Sequence, residues 1–467
     1  MAATPSWNVL VIICDTLRQD YLGAYGNPFI STPALDRLAA GSVVFDEHWI
    51  GSFPTIPLRQ DLLTGRHVFP FWGWAPLPEG QRETLATCLG RVGYLTQLIS
   101  DNPHYLKPGM NLHLGFAGWD IIRGQVSDQY ATAPAQVTLP CAEEKLRSPD
   151  EVRQYLRNVA GRRYETDYFP AQVATRAMQW LEANRDRPFF LWVDSFDVHE
   201  PWDPPAWYIE RYDPGYSGEA VIQPRYLDRI DYLTEAELRH VRALYAAEVT
   251  MVDRWLGRLL DHLDDLDLTE RTIVVFISDH GYYLGDHGYT GKHTVHAPRR
   301  GWPLYAEIAR VPLFIRVPGL TPGRSSALIQ AVDVHRTLLD LLGVERSAQS
   351  PKLHGVSASP LLRGESDHIR NLTMSSPKLP EGDDWLVWTT VVEENWLLLD
   401  PGAFRAEGVQ PRLYDRRSDP ACERDLATTV EGQEQAERLH RRHLELLEQW
   451  DVQVDRRQLR RWPQDRA

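Results

Sequence analysis

The sequence predicts an α/β protein with a large, mixed but mainly parallel sheet sandwiched by helices. Short apolar, β-branched runs alternate with helical patterns through the first three quarters of the 467-residue chain. Each run is followed by polar residues, as expected where parallel strands end in loops. In the last quarter the pattern changes to alternation, which predicts a smaller antiparallel sheet and a closing helix. We therefore expect an α/β domain over residues 1–370 and a C-terminal α+β subdomain over residues 371–467.

The individual elements are predicted from these patterns in chain order. The clearest strands of the large sheet are predicted over residues 8–13, 94–99, 189–193, 272–277 and 312–317. Apolar positions three or four apart predict amphipathic helices over residues 32–40, 84–92, 172–183 and 235–263. Strands of the small sheet are predicted over residues 385–392, 396–399 and 412–414, followed by a helix over residues 432–450. The stretches 134–163 and 201–231 resemble insertions over a surface or a cleft.

Composition and charge limit the possible partners. The chain has 64 acidic and 50 basic side chains and a formal net charge of −14, which argues against nucleic-acid or acidic-membrane partners. No window approaches the ~20 apolar residues that span a bilayer. The four cysteines are widely separated and show no paired spacing, so we expect reduced core residues. We expect a cytoplasmic protein that acts on a small molecule and that could form a homo-oligomer.

Carboxylates and imidazoles follow the predicted strands of the large sheet. The carboxyl ends of parallel strands meet at one edge, so these groups are predicted to converge. Carboxylate oxygen and imidazole nitrogen are ligands for divalent cations, and the sequence therefore predicts a metal site at this edge. A helix cap or a turn residue is the alternative interpretation for each group alone. The groups concerned are Asp15, residues 101–104, Asp197, His199 and residues 278–281.

The segment 52–66 is predicted to be a turn that leads into a helix, with Thr55 at the helix start and Arg59 one turn later. A helix amino terminus favours an anionic phosphoryl or sulfuryl group, and Arg59 offers a planar fork for the same oxygens. The Thr55 hydroxyl could therefore ligate a metal and attack an ester. The alternative interpretation is that Thr55 caps the helix.

Together these motifs resemble the sulfatase family of the alkaline-phosphatase superfamily, over nearly the whole chain. In pattern the chain is most similar to phosphonate monoester hydrolase and phosphodiesterase members. The fragment Pro57-Leu-Arg-Gln-Asp-Leu-Leu-Thr-Gly65 resembles the core of the family signature, Cys/Ser-x-Pro-x-Arg-x-x-Leu-Leu-Thr-Gly. The order of six such segments is more specific than any single one. The other segments span residues 8–26, 278–288, 291–293, 304–319 and 413–420.

The resemblance implies an alkaline-phosphatase-like fold and a role for each matching residue. At the nucleophile position stands Thr55, which Arg59 would orient. Lys292 and His199 match residues that contact substrate oxygens or protonate the leaving group. Asn102 and His104 align with a substrate-binding Gly-Lys-x-His segment. The implied metal ligands are Asp15, Thr55, Asp279 and His280.

Three departures from the family pattern alter the implied chemistry. Cys14 replaces the first of two paired aspartates, which together with His280 favours manganese, zinc or iron, with calcium or magnesium as alternatives. Asn102 replaces a sulfate-binding lysine, and a less cationic site suits phosphodiesters or phosphonate monoesters. Thr55 replaces the Cys or Ser that is oxidised to formylglycine, and a threonine would give a ketone. Formylglycine is therefore not expected.

The leading hypothesis is a metal-dependent phosphoester hydrolase, acting on phosphodiesters or phosphonate monoesters with Thr55 as nucleophile. The first alternative is a sulfate-ester hydrolase altered at position 55. The second is an anion-binding pseudoenzyme without catalytic activity. A two-metal phosphodiesterase with Asp197, His199 and His354 as further ligands is also compatible with the sequence.

Overall fold

The described part of the chain contains an eight-stranded sheet, a four-stranded sheet, the two-stranded pair of Tyr283–Leu284 with Thr290–Gly291, and eleven α-helices. The computed structural model describes residues 7–78, 83–106, 109–133, 136–292, 301–348, 350–377 and 387–450. The strands are β1 (Asn8–Cys14), β2 (Val43–Phe45), β3 (Leu95–Ser100), β4 (Gly118–Ile121), β5 (Phe189–Ser195), β6 (Thr272–Ser278), β7 (Tyr283–Leu284), β8 (Thr290–Gly291), β9 (Leu313–Arg316), β10 (Gly323–Ser325), β11 (Thr373–Ser375), β12 (Thr389–Val392), β13 (Trp396–Asp400) and β14 (Arg412–Asp415). The helices are α1 (Pro33–Ala40), α2 (Thr55–Thr64), α3 (Leu85–Arg91), α4 (Pro149–Val159), α5 (Phe169–Asn184), α6 (Ala206–Ile209), α7 (Glu235–Asp265), α8 (Ala306–Ala309), α9 (Ala331–Leu342), α10 (Ser359–Leu362) and α11 (Val430–Gln449).

The large sheet has eight strands in the order β10-β2-β9-β6-β1-β5-β3-β4. β1 pairs in parallel with β5 and β6, and β3 continues the parallel run to β4. β9 is antiparallel to β6 and to β2, so the predicted mixed, mainly parallel sheet is confirmed. Every residue of β1, β5 and β6 is buried, which explains their continuous apolar sequences. The carboxyl ends of β6, β1, β5 and β3 therefore lie side by side.

The longest helix, α7, begins where its capping residues predict. The Thr234 Oγ1 atom accepts a hydrogen bond from the Glu237 backbone at 3.2 Å, and Glu237 Oε2 accepts one from the Thr234 backbone at 2.8 Å. This reciprocal pair satisfies backbone donors that would otherwise have no partner within the helix. The apolar face of α7 packs against α5 and α1. Its position confirms the helix predicted over residues 235–263.

The chain forms two compact units. Unit 1 comprises Met1–Asp46, Ala86–Lys292 and Val311–Arg324, and contains the large sheet. Unit 2 comprises Glu47–Leu85, His293–Arg310 and Ser325–Ala467. The smaller sheet, in the order β11-β12-β13-β14, is antiparallel throughout and lies in unit 2, as does α11. The division of domains after residue 370 stays a prediction.

Several elements differ from the sequence-based prediction. The polar stretch 134–163 includes α4, whose polar sequence hides a narrow apolar stripe with Val152 and Tyr155 buried. Ser148 caps this helix by accepting a hydrogen bond from the Glu151 backbone. The short strands β2, β4 and β11 escaped prediction because three or four residues carry too little periodicity. The strand predicted over residues 385–392 begins at Thr389 in the structure, and residues 385–386 lie outside the described ranges.

Two predictions about the whole chain can be compared with the structure. All four cysteines are free and buried, as expected for reduced core residues. Among the described residues, no helix is both long and apolar enough to cross a membrane.

Candidate active site

Three predicted metal ligands converge at the carboxyl edge of the large sheet in unit 1. Asp15 follows β1 directly, and Asp279 and His280 follow the neighbouring strand β6. All three are fully buried, and their ligand atoms lie within 4.8 Å of one another. We refer to these three residues as the Asp15 cluster. Its two carboxylates and one imidazole form a donor set that fits a divalent cation.

Hydrogen bonds from the loops fix the orientation of this cluster. The backbone N–H groups of Thr16 and His280 both donate to Asp279 Oδ1 at 2.8 Å. The Thr16 hydroxyl donates to Asp15 Oδ1 at 2.7 Å. The Nδ1 atom of His280 lies 2.9 Å from the Gly281 carbonyl oxygen, which favours the tautomer with its proton on Nδ1. The lone pair on Nε2 is then available to a cation, in the manner of a ligand oriented by an outer hydrogen bond.

Lys292 lies beside the Asp15 cluster. Its Nζ atom is 3.2 Å from the Thr16 hydroxyl and 3.4 Å from His280 Nε2. Only 6% of the residue is exposed. Burial lowers the pKa of Lys292 from its usual value, while the negative charges of Glu200, Asp15 and Asp279 oppose that effect. The structure thus brings a buried amine to the predicted metal ligands.

His199 is held by its neighbours after β5. The ring stacks on Phe196 with a centroid distance of 4.2 Å. Its Nδ1 atom is 2.6 Å from the Glu200 carbonyl oxygen and 3.3 Å from Glu200 Oε2. Burial, followed by the charge of Lys292, lowers the pKa of His199 well below its usual value. A negatively charged ester beside the ring would favour the protonated form.

Glu200 is a fully buried carboxylate beside His199. Its Oε1 atom accepts a hydrogen bond from the Tyr226 hydroxyl and lies 3.6 Å from Arg147 Nη1. These contacts place one oxygen toward Tyr226 and the other toward the imidazole. Sequence reasoning missed this residue, although its position next to His199 was a signal. It also missed Thr16, which follows the predicted ligand Asp15 directly.

Asn102 and His104 lie at the end of β3. The Asn102 Oδ1 atom accepts a hydrogen bond from the His104 backbone at 3.0 Å and so caps a short 3₁₀ turn. The Asn102 Nδ2 atom is buried and makes no hydrogen bond within the described ranges. The His104 ring meets the Phe196 ring edge-on at 5.7 Å. Asn102 therefore combines the cap role with a donor that can serve a bound anion.

Thr55 and Arg59 belong to unit 2. Thr55 is the first residue of α2 and is 2% exposed. The N-cap position is occupied by Pro54, so Thr55 does not occupy the cap position. Arg59 is fully buried, and its Nη1 atom donates to the Thr55 carbonyl oxygen at 2.9 Å. Arg59 thus contacts the backbone of Thr55, whereas its role in orienting the Thr55 hydroxyl and the participation of Thr55 in the metal shell stay predictions.

The two-metal alternative gains no support from the described residues. Asp197 Oδ1 accepts a hydrogen bond from Gln125 Nε2 at 2.7 Å. In unit 2, His354 Nδ1 accepts one from the His67 backbone at 3.0 Å, and its ring stacks on Trp450 with a centroid distance of 4.7 Å. Two clusters in the described ranges can hold a metal ion, and neither includes Asp197, His199 or His354. His293, the last residue of the 291–293 motif, lies outside those ranges.

Comparison with known proteins assigns the family. The profile of the sulfatase family matches residues 7–344, which is more than half of the chain. The chain belongs to the sulfatase family. Residues 291–449 match a second profile, which describes the C-terminal part of N-sulphoglucosamine sulphohydrolase. The chain is accordingly a hydrolase of sulfate or phosphonate esters.

Similar proteins include members with different ester substrates. An arylsulfatase from Clostridium perfringens is 25% identical, with 92% of each chain covered. A multifunctional alkaline phosphatase superfamily protein from Trinickia caryophylli is 27% identical over 72% of this chain and 74% of its own. The structure of a phosphonate monoester hydrolase from Silicibacter pomeroyi has a TM-score of 0.73, with 22% identity and 95% of each chain covered. This last similarity confirms the alkaline-phosphatase-like fold of the sulfatase family.

A buried carboxyl group near this site makes a stability prediction possible. Burial raises the pKa of Asp101 to about 7, whereas an unfolded aspartate titrates near ~3.9. Between these values the folded state binds more protons, so this group lowers stability as the pH rises from about 4 to 7. We expect the change in the free energy of unfolding caused by Asp101→Asn to be more favourable at pH 8 than at pH 5, by on the order of 2 kcal/mol.

Unfolding by urea at the two pH values would measure this difference. Asp101 Oδ1 accepts a hydrogen bond from the Phe196 backbone and Oδ2 accepts one from Gln125 Nε2. An asparagine has the same shape but can keep only one of these bonds, and that loss does not depend on pH. The exposed Asp231 offers a control, because Asp231→Asn should show no comparable pH-dependent gain. Equal gains for Asp101→Asn at pH 5 and pH 8 would contradict the raised pKa.

Proposed function

We propose that the chain hydrolyses phosphodiesters or phosphonate monoesters, with the Thr55 hydroxyl as nucleophile. The residue at position 55 is the observation that carries this proposal. The family signature has a Cys or Ser there that is oxidised to formylglycine, and oxidation of a threonine would give a ketone. A hydroxyl group can instead attack phosphorus directly.

In the proposed reaction the Thr55 hydroxyl loses its proton to solvent, and Oγ1 forms a bond to phosphorus while the bond from phosphorus to the leaving oxygen breaks. The leaving oxygen takes a proton from His199. It needs an acid of this kind because an unprotonated alkoxide is a poor leaving group. The oxygen of a water molecule then bonds to phosphorus while the bond from phosphorus to Thr55 Oγ1 breaks; one proton of this water goes to Oγ1 and the other returns to His199. Arg59 orients the start of α2, and Asn102 Nδ2 and Lys292 Nζ bind the non-bridging oxygens.

The Asp15 cluster would hold the metal ion in this proposal, with Thr55 completing the shell. A divalent cation would supply stabilisation of negative charge and favour the ionised hydroxyl. The mixture of carboxylate and imidazole donors favours manganese, zinc or iron over calcium and magnesium. We propose further that the substrate is a small-molecule ester, that nucleic acids and membranes are not partners, and that the protein is cytoplasmic and can form a homo-oligomer.

A paired substrate assay tests the proposal. The purified protein, loaded separately with manganese, zinc or iron, would be given bis(4-nitrophenyl) phosphate, 4-nitrophenyl phenylphosphonate and 4-nitrophenyl sulfate. We expect kcat/KM for at least one phosphorus ester to exceed that for the sulfate by about 100-fold. Mass spectrometry of the quenched reaction should find phosphate on Thr55. A sulfate preference overturns the ester class, and binding of anions without any turnover would indicate a pseudoenzyme.

The second candidate is a sulfate-ester hydrolase. Two observations favour it, namely the match of both sulfatase profiles and the 92% coverage shared with an arylsulfatase. This enzyme would need a nucleophile other than formylglycine, because position 55 is a threonine. The same assay separates the candidates, since a sulfatase would turn over 4-nitrophenyl sulfate without phosphorylation of Thr55.

A further inference from the structure

A second group of metal-ligating side chains lies in unit 2. Asp400 is the last residue of β13, and His440 and His443 lie three residues apart on α11. Their ligand atoms all lie within 4.8 Å of one another. Residues three apart on a helix share one face, so both imidazoles can reach the same carboxylate. We refer to these three residues as the Asp400 cluster.

The two oxygens of Asp400 face different partners. Oδ1 accepts hydrogen bonds from the Arg405 side chain at 2.9 Å and from the Gly402 backbone at 3.0 Å. Oδ2 faces the two imidazoles, at 2.5 Å from His440 Nδ1 and at 3.5 Å from His443 Nδ1. The guanidinium and the backbone N–H thus orient the carboxylate, and the opposite oxygen is directed toward both rings. Ligands held by outer hydrogen bonds in this way are typical of metal sites.

A hydrogen bond between Asp400 and an imidazole explains the position of His440 but not that of His443. One imidazole is sufficient to satisfy Asp400 Oδ2, and His440 already lies at hydrogen-bond distance. The Nδ1 atom of His443 is buried and makes no hydrogen bond with any described residue. The residue as a whole is only 4% exposed. A buried ring nitrogen without a hydrogen bond needs an explanation, and an ion bound between the three side chains provides one.

We propose that the Asp400 cluster is a second divalent-metal site, separate from the Asp15 cluster. Two nitrogen donors and one oxygen donor favour zinc over calcium or magnesium. The proton shared by Asp400 and His440 leaves when the ion binds, because a ligating imidazole must have a lone pair at that nitrogen. The side chain of His440 is 18% exposed and gives the ion a route from solvent.

The position of the site defines its role. Asp400 ends a strand of the four-stranded sheet, whereas both histidines belong to the helix that packs on it. An ion held by all three residues therefore joins α11 to β13. Since the ion binds the folded arrangement and not the unfolded chain, it stabilises unit 2 by mass action. This role is structural and does not depend on the ester that the enzyme hydrolyses.

Metal content tests this proposal. The whole protein would be loaded with zinc, desalted and measured by inductively coupled plasma mass spectrometry. We expect the variant His440→Gln/His443→Gln to contain one zinc ion per chain fewer than the unaltered protein. The exposed His368 of the same unit provides a control, and His368→Gln should keep the full content. Equal content in all three proteins overturns the proposal and identifies a hydrogen-bonded cluster only.

The double variant could lose zinc because it folds poorly, so a second measurement compares the effect of zinc on the Tm of single variants. His440 is partly exposed, so the single variant His440→Gln keeps the buried His443 in place. We expect zinc to raise the Tm of the unaltered protein and of Asp279→Asn, in which the Asp15 cluster is impaired. Zinc should raise the Tm of His440→Gln much less. A zinc-dependent rise that is lost in Asp279→Asn but kept in His440→Gln overturns the proposal, whatever the ester specificity of the enzyme.

Discussion

Replacement of Thr55 by alanine is expected to lower kcat by ~10⁴-fold on the preferred phosphorus ester, because it removes the proposed nucleophile. Thr55 begins α2 and is buried, while its neighbour in the next turn, Arg59, holds the carbonyl oxygen of the same residue. The backbone contact of Arg59 does not depend on the Thr55 side chain, so the start of the helix should persist. Steady-state kinetics with the metal-loaded variant would measure the loss.

The other end of the same helix provides a matched control. Thr64 is also buried, and its hydroxyl donates to the Gln60 carbonyl oxygen at 2.7 Å. We expect Thr64→Ala to cost about 1 kcal/mol of stability and to keep kcat within a few-fold. The variant Thr55→Ser should retain far more activity than Thr55→Ala, because serine keeps a hydroxyl group. Full activity of Thr55→Ala would exclude Thr55 as nucleophile.

The Asp15 cluster could be predicted from sequence because few topological facts determine it. Asp15 and Asp279 each follow a run of seven buried strand residues, and parallel strands end at one edge. The sequence does not show that β1 and β6 are neighbours in the sheet. The strand order of the structure establishes this. The resemblance to the sulfatase family identified the same residues independently.

Other parts of the site depend on contacts that have no sequence signature. Thr16 donates to both carboxylates of the Asp15 cluster, through its backbone N–H and its hydroxyl, and its own backbone is left-handed, with φ of 64°. The Asp400 cluster joins a strand end to a helix that begins thirty residues later, and the spacing of its histidines alone is common on helix surfaces. Helix α4 was missed because its buried stripe is narrow. In each case the tertiary fold supplies information that local patterns lack.

The second large effect is expected at His199, and it should depend on the leaving group. If His199 protonates the departing oxygen, His199→Ala should lower kcat/KM by ~10²–10⁴-fold for an alkyl phosphodiester. The loss should be far smaller for a 4-nitrophenyl ester, whose phenolate departs without a proton. Kinetics over a series of leaving groups of increasing pKa would measure this difference. His262→Ala on α7, which removes a partly exposed histidine, should leave the dependence on leaving group unchanged.

The neighbour of His199 should then control how strongly the ring holds its proton. Glu200 places its carbonyl oxygen and Oε2 within 3.3 Å of Nδ1, and the buried carboxylate favours the protonated ring. Removal of that charge in Glu200→Gln should lower the pKa of the proposed acid in the enzyme–substrate complex. The rate with an alkyl ester should therefore begin to fall at a lower pH than in the unaltered enzyme, because kcat requires the protonated ring. An unchanged high-pH limb, together with a uniform loss for all leaving groups, would assign Glu200 a purely structural role and His199 a role other than acid catalysis.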